Sequence, residues 1–400
     1  MIRCLLCCLL LVHTSLAIAQ PRAHAVLTGI DVLAEDDYRL LSTGRVGLIT
    51  NHTGVDRLGN SDIRLLHDAA NVDLVRVFSP EHGISGTLDI PVIRDGVEVR
   101  SGIPIVSLYG EVRRPTPVML ADIDILVFDI QDIGTRFYTY ISTMGYAMQA
   151  AAENGIRFVV LDRPNPINGH DVAGPVLDDG KQSFVGFHRL PVRHGMTIGE
   201  LARMFNTELQ LDLDLHVVRM RGWHRAEYFD ATGLTWINPS PNIRNLTAAI
   251  LYPGIGLLET TNLSVGRGTA TPFELFGAPW LNAELLAAQL TELAIPGVRF
   301  DAIEFTPAAS KFENIRCNGL RIVITDRDRF DPLRLGFEIV VQLILLHGNI
   351  WEVNSYLRLL GSAATLKAIR EGGSLDDIEA VFAADLADFR ARREKFLLYD

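Results

Sequence analysis

Cysteine is scarce here and badly placed for cross-linking. Of four cysteines, Cys4, Cys7 and Cys8 crowd the start of the chain, and only Cys317 lies beyond them. The first residues, Met1-Ile-Arg-Cys-Leu-Leu-Cys-Cys-Leu-Leu-Leu-Val, are one basic residue followed by an apolar run, ending in Ala17-Ile-Ala19 before Gln20. That is the pattern of a secretory signal with an A-x-A cleavage site, too short to remain as a membrane span. A lipoprotein signal would need a cysteine directly after a small residue, and Cys7 and Cys8 do not supply one. Cleavage near Ala19 leaves Cys317 alone, so no internal disulfide can form. An exported protein without bridges, periplasmic or extracellular, must be held by its core.

Positive charge is also in deficit. The formal net charge is −11, which argues against nucleic acid and anionic membrane surfaces as partners. A small anionic substrate is a separate matter, since a few local arginines can overrule the global sign. Long apolar runs are missing after the leader; the most apolar helical stretch, 339–346, belongs to a helix that carries Arg334 and Glu338 and reads as core. No G-x-G-x-x-G or Walker sequence follows any strand, and the pairs Gly254/Gly256 and Gly266/Gly268 stand alone, so no nucleotide cofactor is expected. His52, His82, His194, Asp129 and Asp132 could be gathered around a metal, but no H-x-x-x-H or His/Asp pair sits at helical ligand spacing, and no metal is expected. There is no internal repeat and no low-complexity tract.

What the chain does have is 48% hydrophobic content over 400 residues, enough for a large core and two domains. Apolar runs at 45–50, 72–78, 103–110, 124–129, 156–161 and 215–220 read as strands. Helical patterns at 61–70, 140–154 and 197–209 fall between them, the last opened by the capping box Thr197-Ile-Gly-Glu200. Near-continuous apolar strands alternating with helices imply a parallel sheet covered on both faces, a Rossmann-like α/β fold. Beyond it, strands at 298–305 and 319–324 with helices at 283–293, 332–346 and 376–396 imply a smaller α+β domain. The expected division is a signal over 1–19, a catalytic domain over 24–246 and an auxiliary domain over 247–400, with the cleft between the two domains. Residues 236–280, rich in Pro, Asn, Gly and Thr, read either as a long connection or as loops closing over that cleft.

The polar residues fall where such a sheet binds its ligands. Asn51, Glu81/His82, Gln131/Asp132 and Arg163/Asn165 each follow the C-terminal end of a different strand, and in an open parallel sheet those ends share one edge. In Phe78-Ser-Pro-Glu-His-Gly-Ile-Ser-Gly86, Pro80 stops a strand and delivers an acid and an imidazole on a glycine-bracketed loop. Such a pair suits proton transfer, although spacing alone also describes a solvated carboxylate beside a turn histidine.

These stretches resemble the NamZ-like exo-β-N-acetylmuramidases, glycoside hydrolases formerly known as a domain of unknown function. The resemblance runs from about Val46 to Tyr399. It is carried by Ser79-Pro-Glu-His-Gly83, Ser107-Leu-Tyr-Gly110, Phe128-Asp-Ile-Gln-Asp-Ile-Gly-Thr-Arg-Phe-Tyr-Thr-Tyr140 and Arg163-Pro-Asn-Pro166. It continues through His194-Gly-Met-Thr-Ile-Gly-Glu200, Ser240-Pro-Asn242, Gly266-Arg-Gly-Thr-Ala-Thr-Pro-Phe-Glu274 and Leu397-Leu-Tyr399. Ile243, where the family pattern suggests methionine, is a mild departure. The resemblance implies release of N-acetylmuramic acid from the non-reducing end of β-1,4-linked peptidoglycan fragments, an extracytoplasmic substrate that suits the leader.

On that reading Glu81 is the general acid, matching the glutamate of Pro-Glu-His-Gly, and His82 orients or tunes it. The second group is open between Asp132, Glu259 and the acetamido oxygen of the substrate itself; Asp129 is expected to be a buried acceptor at the end of its strand. The lactyl carboxylate that distinguishes muramic acid from glucosamine calls for a cation, and Arg136, Arg163 and Arg267 are the candidates. Asn51, Gln131, Asn165, His194, Asn242 and Asn262 are expected to meet hydroxyl or acetamide groups, and Tyr138 to stack on a sugar face. The rival readings are a metal-dependent hydrolase and a non-catalytic periplasmic saccharide- or muropeptide-binding protein.

Overall fold

The structure, a computed structural model, describes residues 26–400; the expected signal segment lies outside them. Twelve strands are named here in chain order: β1 Arg45–Thr50, β2 Asp73–Ser79, β3 Gly96–Val97, β4 Pro104–Ser107, β5 Ile125–Asp129, β6 Arg157–Leu161, β7 Ala173–Val176, β8 Pro191–Arg193, β9 Leu215–Val218, β10 Leu275–Ala278, β11 Val298–Phe305 and β12 Cys317–Ile324. Seven of them form one sheet in the order β3-β4-β2-β1-β5-β6-β9. Every pairing in it is parallel except that of the short edge strand β3 with β4.

The central strands are apolar at every position because both faces are covered. In β5, Ile125 and Val127 point into one core with Val46, Leu48, Ile30 and Leu66. Leu126 and Phe128 point the other way, into a second core with Ile49, Phe158, Ile141 and Met144. This second core does not stop at the sheet. It runs without a break through Leu251, Phe276, Phe337 and Phe389 to Phe396. The C-terminal part, an antiparallel sheet ordered β10-β12-β11 with the helices Ala283–Glu292, Pro332–His347 and Leu375–Arg393, therefore shares its interior with the N-terminal part.

Residues 236–280 differ from either expectation. They contain the helix Leu246–Ile255, buried from Ala248 onward and capped by the Asn245 side chain on the Ala248 amide at 2.8 Å. A 3-10 turn, Gly256–Thr260, and β10 follow it. Pro253 and Gly254 read as turn signals, yet Gly254 is where this helix crosses the helix Pro332–His347 backbone against backbone. A Cβ on Gly254 would stand 1.9 Å from the Pro332 carbonyl oxygen. Close packing, not chain reversal, requires that glycine.

Candidate active site

The loop after β2 is built from left-handed backbone. His82, Gly83 and Gly86 have φ of 70°, 73° and 65°, and tight turns close Gly83 N–H on the Pro80 carbonyl at 3.0 Å and Gly86 N–H on that of Gly83 at 3.1 Å. Histidine tolerates such φ better than bulky residues do, at some cost in strain. The His82 ring is fixed within the same loop, its Nδ1 2.7 Å from the Leu88 carbonyl oxygen. A carbonyl can only accept, so Nδ1 carries the hydrogen, which leaves Nε2 of a neutral ring as an acceptor. Gly86 has its own reason: a Cβ there would fall 1.7 Å from Cε1 of His52. His52 in turn bonds the Asn238 carbonyl through Nε2 at 2.7 Å. Burial, with His82 nearby and the Asn238 carbonyl opposing, lowers its pKa and favours the neutral ring.

The loop opens into a cavity of about 770 Å³, within the range of ordinary ligand sites. Glu81, His82 and Asp89 form one wall, and Glu259, Arg267 and Arg358 stand in the part supplied by the C-terminal half. Tyr138, Tyr140 and Tyr252 make an aromatic floor, with Tyr138 edge-on to the other two at 4.9 and 5.9 Å between ring centroids. Tyr140 is anchored by its hydroxyl to the Pro239 carbonyl at 2.7 Å.

The three carboxylates in the wall have different company. Arg267 donates to both oxygens of Asp89, at 2.7 and 2.6 Å, and to Glu259. Asn242 donates to Asp89 as well, at 3.1 Å. Burial alone would raise the Asp89 pKa, but the bonds and charge of Arg267 outweigh it and hold it low. Burial works against the Arg267 charge too, and Glu259 and Asp89 more than compensate, so its pKa is raised. Glu81 has no guanidinium among the described residues. Its Oε2 accepts a hydrogen bond from the Thr139 hydroxyl, and the Tyr109 hydroxyl faces the same carboxyl; burial, then the Glu81 charge, raise the Tyr109 pKa.

Of the residues singled out by sequence, the structure brings Glu81, His82, Tyr138, Asn242, Glu259 and Arg267 together in this wall and floor. The others do not line it. Arg136 is fully buried, its guanidinium spent on four backbone carbonyls: Pro175 and Leu190 at 2.9 Å, Leu359 and Leu360 at 2.7 Å. Arg163 is locked to Asp129 at 2.5 and 2.8 Å, so Asp129 is indeed a strand-end acceptor. Neither arginine is free to hold a substrate carboxylate. Asp132 is 5% exposed behind the tyrosines, taking the Gly134 amide at 2.7 Å and standing 3.5 Å from His194. It does not line the cavity. His194 is itself fully buried, its Nδ1 accepting the Met196 amide at 3.2 Å.

The amides outside the wall close loops. Asn51 Oδ1 accepts the Thr53 amide and hydroxyl at 2.9 and 2.6 Å. Gln131 donates to the Asp132 and Pro164 carbonyls, both at 2.7 Å. Asn165 bridges Met196 and Ile167 at 3.0 and 3.2 Å, and Asn262 bridges Ile350 and Glu352 at 2.9 Å each. Gln131 and Arg163 line a second, smaller pocket of about 300 Å³ beside Phe229 and Trp236. The loops of β2, β1, β5 and β6 thus share one edge as expected, but two sides of that edge serve different pockets.

Sequence reasoning missed Asp89, Tyr109, Thr139, Tyr252 and Arg358. Tyr109 and Thr139 lie inside the matched stretches Ser107–Gly110 and Phe128–Tyr140, so the signal was present for them. Asp89 and Arg358 sit on segments without strand-end or turn signatures. Among the described residues, no three His, Cys, Asp or Glu side chains converge as a metal site.

Comparison with known proteins accords with this geometry. The chain is 43% identical over 378 residues to the peptidoglycan beta-N-acetylmuramidase NamZ of Bacillus subtilis (strain 168), covering 94% of this chain and 91% of that one. Two crystal structures of DUF1343 family proteins from Bacteroides fragilis NCTC 9343 superpose with TM-scores of 0.88 and 0.76. Their identities are 40% and 30%, with 95% and 94% of this chain and 100% and 99% of theirs covered. The family described as exo-beta-N-acetylmuramidase NamZ matches with its N-terminal part over residues 46–247 and its C-terminal part over residues 250–399. The chain belongs to that family.

Proposed function

We propose that this protein is an exo-acting glycoside hydrolase that releases N-acetylmuramic acid from the non-reducing end of β-1,4-linked peptidoglycan fragments, with Glu81 as its general acid. The Bacillus subtilis relative is a peptidoglycan beta-N-acetylmuramidase, and the family is described as exo-acting. The observation that carries the role of Glu81 is its isolation from positive charge: of the three carboxylates around the cavity, Asp89 and Glu259 are paired with Arg267, and Glu81 is left to hydroxyl partners. Arg267 holds the Asp89 carboxyl ionised, whereas no cation among the described residues competes for the proton that Glu81, as the acid, delivers. That proton passes to the glycosidic oxygen as the bond from the anomeric carbon breaks. The leaving sugar departs as an alcohol, and water completes hydrolysis at the anomeric carbon.

His82, on the same rigid loop, faces the cavity and orients the reacting end. Asn242 and the tyrosine floor are placed to receive sugar hydroxyls and a pyranose face. A signal sequence would deliver the enzyme to the compartment where its substrate lies.

The test compares the disaccharide N-acetylmuramyl-β-1,4-N-acetylglucosamine with 4-nitrophenyl β-N-acetylmuramide for wild type and Glu81→Gln. General acid catalysis contributes about 10²–10⁴-fold, and an alkoxide-like sugar leaving group needs it far more than nitrophenolate does. The mutant should lose two or more orders of magnitude on the disaccharide, and markedly less on the aryl glycoside. Equal losses on both, or none on the disaccharide, would remove Glu81 from the role.

A further inference from the structure

We propose that Arg358 recognises the lactyl carboxylate of the terminal muramyl residue and so sets the preference for muramic acid over glucosamine; the inference rests on the muramidase reading above. Two guanidiniums line the cavity, and they are not equivalent. Arg267 already carries two carboxylates, Asp89 and Glu259. That cluster has one positive charge against two negative ones and repels an entering anion. Arg358 has no carboxylate, carbonyl or aromatic partner among the described residues, and its side chain is exposed to the cavity. An anionic substrate therefore finds one unneutralised guanidinium in the wall. A guanidinium fork matches a carboxylate with two parallel hydrogen bonds.

The side chain is free, but its backbone is not. Arg358 lies on the helix Leu357–Leu360, continuous with the 3-10 turn Val353–Tyr356. Tyr356 is fully buried, and the Ser355 carbonyl accepts the Thr260 hydroxyl at 2.7 Å. At the far end Arg136 holds the Leu359 and Leu360 carbonyls at 2.7 Å each. A cation on a fixed backbone, lining the same cavity as an acid on an equally fixed loop, is the arrangement a positional recognition site needs.

The clamp acts on a part of the substrate remote from the broken bond and holds it equally before and during bond breaking, so its loss should raise KM and leave kcat nearly unchanged. The experiment uses the whole protein and three aryl glycosides: 4-nitrophenyl β-N-acetylmuramide, its neutral lactyl methyl ester, and the N-acetylglucosaminide. Arg358→Ala should raise KM for the muramide about 10- to 100-fold, the worth of a charge-assisted hydrogen bond. It should leave the ester and the glucosaminide as they are in wild type, and Arg358→Lys should keep part of the effect. An unchanged kcat/KM on the muramide would overturn the clamp, as would equal losses on all three substrates. Were Arg358 only a favourable charge in a last helical turn, its loss would lower Tm and leave selectivity alone, which also overturns it. Silence of the wild type on the muramide would be a different failure, refuting the activity itself and the clamp with it.

Discussion

Replacing Arg136 tests whether its guanidinium is part of the frame or part of the site. It bonds four carbonyls, two on the β7–β8 hairpin side and two at the end of the Arg358 helix. Arg136→Met removes this donor from all four acceptors, but the Leu190 carbonyl keeps the Leu177 amide at 3.1 Å. A buried acceptor left bare costs about 1–3 kcal/mol, so the other three cost about 6 kcal/mol at mid-range. Removing the guanidinium also removes its own burial penalty. Burial pulls the Arg136 pKa from 12.5 to about 9, with Asp178 opposing, so the group stays charged near neutrality at a penalty of about 5 kcal/mol, taking 1.36 kcal/mol per pH unit. The difference is about 1 kcal/mol of lost stability. At about 2 °C per kcal/mol for a large chain, calorimetry should show Tm falling by about 2 °C. Activity on the muramide should survive below the transition. An Arg136→Met protein that melts with the wild type would refute this, and one that also lost its muramide preference would return Arg136 to the substrate site.

Asp162 makes stability depend on pH in a predictable direction. Burial, with the Glu200 charge adding and bonds from Tyr399, Gly199 and Thr197 opposing, raises its pKa from 3.8 to about 6. Between those values the folded state keeps a proton that the unfolded state releases, so this group's contribution is full below about pH 4 and fades as pH rises through 6. Urea titrations should therefore show wild type losing about 3 kcal/mol relative to Asp162→Asn between pH 4 and pH 7; a difference that stays flat would refute it. For export, Edman sequencing of the protein made in its native host should begin at or near Gln20, and a chain still beginning at Met1 would end that part of the proposal.

Much of the fold was legible because the chemistry that makes it is local. β1, β5 and β6 stand within a residue of where continuous apolar runs place them, since a strand covered on both faces has no polar alternation to blur its ends. The box at Thr197 and Glu200 forms as read, with Thr197 N–H on the Glu200 carboxylate at 3.0 Å. Ser61 stands at the N-cap position of the helix Asp62–Asp68 but makes no capping bond. The site was legible only at the level of the sheet edge. Arg136, Arg163 and Arg267 are the same residue in equally matched stretches, and what separates them is the partner each finds across the fold: carbonyls, a buried aspartate or cavity carboxylates. Those partners lie from 34 to 224 residues away for the first two, beyond the reach of any sequence window. Arg358 was invisible for the opposite reason, having no partner among the described residues.

A cleft between two domains suggests a hinge, but the contacts here argue for a site assembled in advance. The acid comes from the N-terminal sheet and the free guanidinium from the C-terminal part, so their separation depends on the seam between them. That seam is held by one continuous apolar core and by Arg136 reaching the Arg358 helix. It is held again at the chain end, where the Tyr399 hydroxyl donates to Asp162 at 2.6 Å and the Leu398 amide to Glu200 at 2.8 Å. Arg393, in the last long helix, adds bonds to the Gly195 and His170 carbonyls at 2.9 and 3.0 Å. Opening such a seam would bare buried charges and carbonyls together. Glu81 and Arg358 are therefore held at a set distance before substrate arrives, and the cost of orienting them is met in folding rather than at each turnover.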